Sequence, residues 1–482
     1  MSRFNVPKVS VLVVPTAANT AGGKAFRMTH KMEYATALLT AMCGDTYYKT
    51  GSEYVERIAE LTRTIDDPIF AAKAALYTRY EGDLRTVSHV VAGELANRVK
   101  GEKWTRRFFN KIAFRVDDVT EILSYFVTKY GRKKIPNALR DGLGAALTKF
   151  DAYQLAKYKA AGKDMNLWDA VNLCHPKATE ALSALMKGTL AAAETWETKV
   201  SGAGKAEGNK DEAKKEAWTE LLDKKKLGYF AILRNLRNIA KDAPEAMGRA
   251  LASLVDEKQV ARSKVLPFQF QTAMDALKGL VQAPVMHTLN AAMELSMRNV
   301  PRFSGKTLIA LDCSGSMDGK PIQIGALMAA VLFKSQDDAD VVQFSSHAQK
   351  ITGLNPGDTL DSISKTILRQ RVNGGTNFHS IFQAIGSTRY DRIIILSDMQ
   401  AWQGSGWIAT DCVNDTFNNY CKAIGTKSYL YSFNLNSVDG TMQFPESKVF
   451  CLAGFSDAIL GVMGKLEQDP QALINEIDAI EV

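Results

Sequence analysis

The hydrophobic pattern of this chain changes period once, near residue 300, and that change constrains the fold more than any other feature. From about residue 30 to 298, apolar residues recur at helical spacing. The pattern predicts helices over Met32–Met42, Gly51–Arg63, Pro68–Tyr80, Thr86–Val99, Lys103–Phe114, Val116–Tyr130 and Ile135–Leu147, punctuated by Gly, Asp or Pro. Short antiparallel helices in a long row, with almost no strand signal, point to helical-pair repeats of the HEAT or armadillo kind. The one low-complexity segment, residues 199–216, lacks large apolar residues and reads as an exposed loop or frayed helix inserted in this region, with helix resuming over Ala217–Ala240.

Beyond Arg298 the pattern switches to short apolar runs rich in β-branched residues: Thr307–Leu311, Asp340–Phe344, Arg392–Leu396, Ser428–Phe433 and Lys448–Leu452. A helix is predicted between the first two, over Pro321–Lys334. Continuous apolar strands alternating with helices predict a mostly parallel sheet covered on both faces, a doubly wound α/β domain. The expected division is residues 1–298 and 299–482. Ligands of such sheets bind at the carboxyl ends of the strands, which directs attention to the loops after Leu311 and Leu396.

Composition excludes several classes. A chain of 482 residues with 46% hydrophobic and 23% charged content has ample material for globular cores. No stretch approaches the roughly 18 apolar residues of a membrane span. Met1–Asn5 lack the basic-then-apolar pattern of a secretory signal, so a cytoplasmic location is expected. The six cysteines are far apart without Cys-x-x-Cys, as reduced and mostly buried thiols would be. Residues 1–300 carry 46 Lys and Arg against 33 Asp and Glu, a net +13, whereas residues 301–482 carry 14 against 19, a net −5. The asymmetry suggests that the first part meets a polyanion; a solvated basic surface is the alternative.

The loop after the first strand reads Asp312-Cys313-Ser314-Gly315-Ser316. In extended chain alternate side chains point the same way, so one carboxylate and two hydroxyls can converge. Asn373-Gly374-Gly375-Thr376-Asn377 adds a hydroxyl after a glycine pair, and Ser397-Asp398 a second carboxylate. Two carboxylates and three hydroxyls form a hard-oxygen set suited to Mg²⁺ or Mn²⁺ rather than zinc or copper. Helix capping by Asp312 and the serines is the alternative. His379 has no companion acid or base and is expected to pack on the following helix, so this domain is read as non-catalytic.

Basic residues concentrate between Lys103 and Lys134, nine against three acids, and include Lys133 and Lys134. Arg107, Lys111 and Arg115 recur every four residues and would share one face if a helix ran through them, a stripe able to neutralise phosphates. The interleaved Trp104, Phe108, Phe109 and Tyr130 are expected in the core. Further clusters are Lys157, Lys159 and Lys163 with His175; Arg234 and Arg237; and Arg262 with Lys264. His175 precedes a proline at an expected helix end, where its ring can reach outward or cap the helix.

Two resemblances follow. Asp312, Ser314, Ser316, Thr376 and Asp398 resemble the metal-ion-dependent adhesion site of von Willebrand factor A domains, in that family's order. The whole chain resembles the Ro ribonucleoprotein family, bacterial or phage type, in which a ring of helical repeats, the TROVE module, is closed by such a domain. The resemblance lies in residues 19–24 with 44–49, Ala156-Lys157-Tyr158-Lys159 with Cys174-His175-Pro176, Ala231–Arg237, Pro267-Phe268 and the metal motif. It implies a monomeric ring that binds RNA without catalysis. A misfolded noncoding RNA would enter the central hole by its single-stranded 3′ end, Y-like RNA would lie on the outer surface, and an exoribonuclease would be a candidate partner. Lys157 and His175 match that outer site; a basic residue expected four positions after Lys157 is Ala161 here, with Lys163 nearby. A protein-interaction adaptor whose Mg²⁺ grips an acidic partner is the competing reading.

Overall fold

The computed structural model describes residues 17–18, 24–27, 29–40, 51–82, 84–158, 165–191, 193, 195–204, 209–399, 413–435, 441–442, 444, 449–453 and 472–482. The seven helices expected between residues 30 and 147 form within two residues of their predicted ends. Local chemistry sets the boundaries. Asp67 caps the helix Pro68–Tyr80 by accepting from the Phe70 N–H at 2.9 Å, with Pro68 in the first turn. Gly131, at φ +90°, ends Val116–Tyr130. The helix Lys103–Ile112 packs tightly on Asn137–Leu147 because Gly142 has no Cβ; one placed there would lie 2.5 Å from Phe109 Cβ.

Residues 199–216 are not a simple insertion. Residues 199–203 finish the helix Trp196–Ala203 and residues 210–216 open the helix Lys210–Asp223, so two helices pack there as a hairpin. Trp196 stacks on Trp218 with centroids 6.0 Å apart, and Lys199 pairs with Glu220. The large apolar residues that anchor the pair sit just outside the compositionally plain stretch. The single helix expected over Ala217–Ala240 is likewise two, Lys210–Asp223 and Tyr229–Asp242, parted by a turn in which Lys225 takes φ +49°.

The second part is a six-stranded sheet formed by β3 (Thr307–Asp312), β4 (Ala339–Phe344), β5 (Ala348–Lys350), β6 (Arg392–Ser397), β7 (Tyr429–Asn434) and β9 (Val449–Ala453), in the order β5-β4-β3-β6-β7-β9. All pairs are parallel except β4 with β5. The strand period of two divides the core. Ile309, Leu311, Ile394 and Leu396 face a cluster continuous with the helical array, whereas Leu308, Ala310, Ile393 and Ile395 face a separate one around Phe378 and Phe417.

Both ends of the array touch the α/β part. At one end Glu294 accepts from the Leu360 N–H at 2.5 Å and pairs with Lys334 at 2.8 Å. At the other, the terminal helix Ala472–Asp478 packs on His30–Thr40 and Pro68–Tyr80, burying Leu473, Ile474 and Ile477. A small sheet unforeseen from the sequence adds to this end: β1 (Ala17–Ala18) pairs with β2 (Lys24–Arg27), and β2 with β8 (Thr441–Met442). Among the described residues no helix is long and apolar enough to cross a membrane. Cys174 and Cys313 are buried free thiols and Cys421 is buried; Cys43 and Cys412 lie outside the described residues.

Candidate functional site

The strand order places the carboxyl ends of β4, β3 and β6 side by side, and the hydroxyl and carboxylate loops leave from there. Asp312 ends β3 and is fully buried. Its Oδ1 accepts from the Ser314 N–H at 2.8 Å and its Oδ2 from Ser397 Oγ at 2.5 Å, which fixes the carboxylate plane. Ser314 and Ser316 lie with their Oγ atoms 3.3 Å apart. Asp398, also fully buried, follows β6. The next residue, Met399, takes φ +61°, a conformation costly for a non-glycine, and its N–H donates to Ser397 Oγ at 3.0 Å.

Thr376 reaches the same strand ends through a loop tied to the end of β4. Asn377 N–H donates to the Ser345 carbonyl at 2.9 Å, and Gly375 N–H to Ser346 Oγ at 2.9 Å. Gly374 is required there: its φ is +146°, and a Cβ would lie 2.5 Å from Ser346 Oγ. Thr376 itself is buried.

Burial, followed by the charge of Asp398, pushes the Asp312 carboxyl well above the usual carboxylate range. Two buried like charges with hydroxyls beside them are a set of oxygen donors that a small hard cation would relieve. Among the described residues there is no group of three or more His, Cys, Asp and Glu that could hold a metal. His379 is buried, with Nδ1 2.7 Å from Thr416 Oγ1. Ser397 and Ser346 are the supporting residues that spacing alone did not reveal; Ser397 precedes Asp398 at the end of β6, and Ser346 lies just past β4 and holds the Gly375 N–H.

The basic stripe needs correction. Arg107, Lys111 and Arg115 do not share one helix, because Lys103–Ile112 ends three residues before Arg115, which caps Val116–Tyr130. Arg115 instead bonds Tyr158 Oη and pairs with Asp117 at 3.3 Å. Lys111 Nζ donates to the Glu481 carbonyl at 2.9 Å, and Lys129 pairs with Glu56 and Glu94, each at 3.1 Å. The local acids are consumed too: Asp118 is buried against Arg79 at 2.9 Å and His89 at 2.9 Å, and Arg85 reaches Asp117 at 2.6 Å. Lys103, Arg106, Arg107, Lys111, Arg132, Lys133 and Lys134 are exposed. Trp104, Phe108 and Phe109 are core, as their spacing indicated.

Lys157 lies 3.6 Å from Glu197, a half-exposed pair that a phosphate could displace at little cost. His175 ends Leu167–Cys174 in the left-handed conformation; its N–H caps Val171 O at 3.0 Å while the side chain stays exposed. Arg234 and Arg237 stand on the exposed side of Tyr229–Asp242, opposite Ile232, Leu233, Leu236 and Ile239. Phe230 and Lys241 share that exposed side. Arg262 and Lys264 are exposed on and just after Glu257–Ser263. Lys159, Lys163, Ala161 and most of residues 19–24 and 44–49 lie outside the described residues.

A helical-repeat array with exposed cations, followed by a mostly parallel α/β sheet with hard-oxygen loops, has the architecture of an α-solenoid joined to a von Willebrand A-like fold. The TROVE domain family matches residues 28–191 and 183–311, more than half of the sequence, and the chain belongs to that family, the family of the Ro proteins. It is 23% identical over 342 residues to telomerase protein component 1 of Mus musculus, covering 52% of this chain and 13% of that protein. It is 23% identical over 272 residues to RNA-binding protein RO60 of Deinococcus radiodurans, covering 49% of this chain and 48% of that protein. The chain thus spans less than half the length of these relatives. The fold matches the crystal structure of the Deinococcus radiodurans RO (RSR) protein with TM-score 0.64 at 19% identity, over 93% of this chain and 100% of that one.

Proposed function

We propose that this protein is a non-catalytic, ring-shaped RNA-binding protein. In this reading a Y-like noncoding RNA lies on the outer surface near Lys157 and His175. Misfolded RNA threads its single-stranded 3′ end through the hole, for RNA quality control or ribonucleoprotein assembly. The observation that carries the reading is the set of exposed cations on the helical part, Arg107, Lys133, Lys134, Arg234, Arg237 and Arg262, while its acids pair largely with other basic residues. Such charges supply sequence-tolerant phosphate contacts. Contacts from both ends of the array to the α/β part support ring closure, and membership of a family with an RNA-binding relative supports the polyanion.

Asp312, Ser314, Ser316, Thr376 and Asp398 would hold Mg²⁺ or Mn²⁺, which when bound supplies an electrophilic position for an acidic ligand. That buried pair of carboxylates favours a second reading, a Mg²⁺-dependent adaptor gripping an acidic protein. The test is purification from the native host. Copurifying RNA, seen as a 260-to-280 absorbance ratio that falls on nuclease treatment, supports the first reading. Partner capture that needs Mg²⁺ but survives nuclease supports the second.

A further inference from the structure

Where the expected basic stripe breaks, the chain exposes aromatic rings instead. Phe114, in the turn between Lys103–Ile112 and Val116–Tyr130, is 55% exposed, and Tyr80, ending Pro68–Tyr80, is 45% exposed. The rings meet edge to face, centroids 5.1 Å apart at 72°. Neither is loosely held. Tyr80 Oη donates to the Lys111 carbonyl at 2.6 Å, and the Arg79 guanidinium sits 5.1 Å from the Phe114 centroid. Arg79 is itself only 3% exposed and locked on Asp118 at 2.9 Å. The result is a pre-ordered aromatic surface backed by a fixed cation.

Phe114 is among the most exposed large apolar side chains of the described residues, and a positive charge stands beside it in the chain. Lys111 precedes Phe114 by three residues and, among the described residues, donates to the neutral Glu481 carbonyl, so its charge stays available to an anion. An apolar protein surface gains nothing from the exposed Lys111 charge. A nucleotide offers a flat π face to the Phe114 ring and a phosphate to the lysine.

We propose that Phe114 is a stacking platform for one unpaired nucleobase, braced edge to face by Tyr80, with Lys111 meeting the adjacent phosphate. This rests on the RNA-binding reading and sharpens it, because a base can stack there only when it is not already stacked in a duplex. The platform selects single-stranded over paired RNA without reading sequence.

The test measures binding of the full chain to a short single-stranded RNA and to a duplex of the same sequence, over a salt series. Phe114→Ala and Phe114→Leu should each weaken single-strand binding about 5- to 100-fold, the range of one lost stack, and leave duplex binding and the salt slope unchanged. Phe114→Trp should retain affinity. Leucine preserves apolar bulk without a π face, so it separates stacking from packing, and thermal melting of each variant shows whether the fold is intact. Unchanged single-strand affinity in folded Phe114→Ala, or equal loss for both RNAs, overturns the platform while the wider reading stands. No RNA binding by the unaltered chain overturns both.

Discussion

Lys31 Nζ lies 3.0 Å from Asp478 Oδ2, joining the first long helix of the chain to the last. Lys73 donates to the Asp478 carbonyl, and Tyr77 Oη to Glu476 at 3.3 Å, so the terminal helix is tied to two helices of the opposite end of the sequence. Most of the energy lies beneath these polar contacts, in Leu473, Ile474 and Ile477.

Asp478→Ala removes a half-exposed pair and should cost about 1 kcal/mol or less. Ile477→Ala leaves a cavity and should cost about 2–5 kcal/mol. Hydrogen exchange over His30–Thr40 should rise in the second variant and hardly change in the first; equal exchange in both would show that the terminal helix is not a clasp.

Asp312→Ala should abolish Mg²⁺ and Mn²⁺ binding in isothermal titration and leave RNA affinity within about twofold, because the site lies in the acidic part of the chain. Ser397→Ala should weaken metal binding about 10- to 100-fold by freeing the Asp312 carboxylate to turn. Loss of RNA binding together with metal would mean that the ion supports the fold.

Arg234→Glu and Arg237→Glu should lower RNA affinity and reduce the slope of log affinity against log salt by about 0.7 for each single-strand phosphate that is no longer neutralised. Arg115→Glu should behave differently. Its guanidinium holds Asp117 and Tyr158, so the expected effect is on melting temperature before it is on salt dependence.

Asp118 carries a pH prediction. Burial opposes its charged form, but the bond with His89, the charges of His89 and Arg79 and the Arg115 N–H outweigh that and hold the carboxyl well below the usual range. A depressed folded pKa means a contribution fully present above the unfolded value, about 3.9, and lost as pH falls through the folded value. Urea stability should drop below about pH 4. Asp118→Asn should cost about 3–5 kcal/mol at neutral pH by stranding Arg79, and should flatten the acid slope. An unchanged slope would assign acid sensitivity elsewhere.

Periodicity and punctuation carried most of the fold. Pro68–Tyr80 and Val116–Tyr130 were legible to the residue because a capping aspartate with a proline, and a left-handed glycine, mark their ends. The helix pair around residue 204 was not, because Trp196 and Trp218 sit outside the plain stretch they anchor. Asp312, Ser314 and Ser316 were readable as one group because they are close in sequence, whereas the Ser346 tether to Gly375 spans two elements and exists only in space. Charge counting failed between Lys103 and Lys134 for a physical reason. It cannot tell Arg115 and Lys129, spent on neighbouring acids, from Arg107 and Lys133, which face water.

The decisive measurement is the affinity of the purified full chain for an RNA with a duplex body and a single-stranded 3′ tail, taken from about 50 to 200 mM salt. Tight binding is predicted, falling steeply and linearly on a log–log plot and weakening when the tail is removed. Affinity independent of salt, or indifferent to the tail, would contradict RNA binding by a ring that admits a single strand.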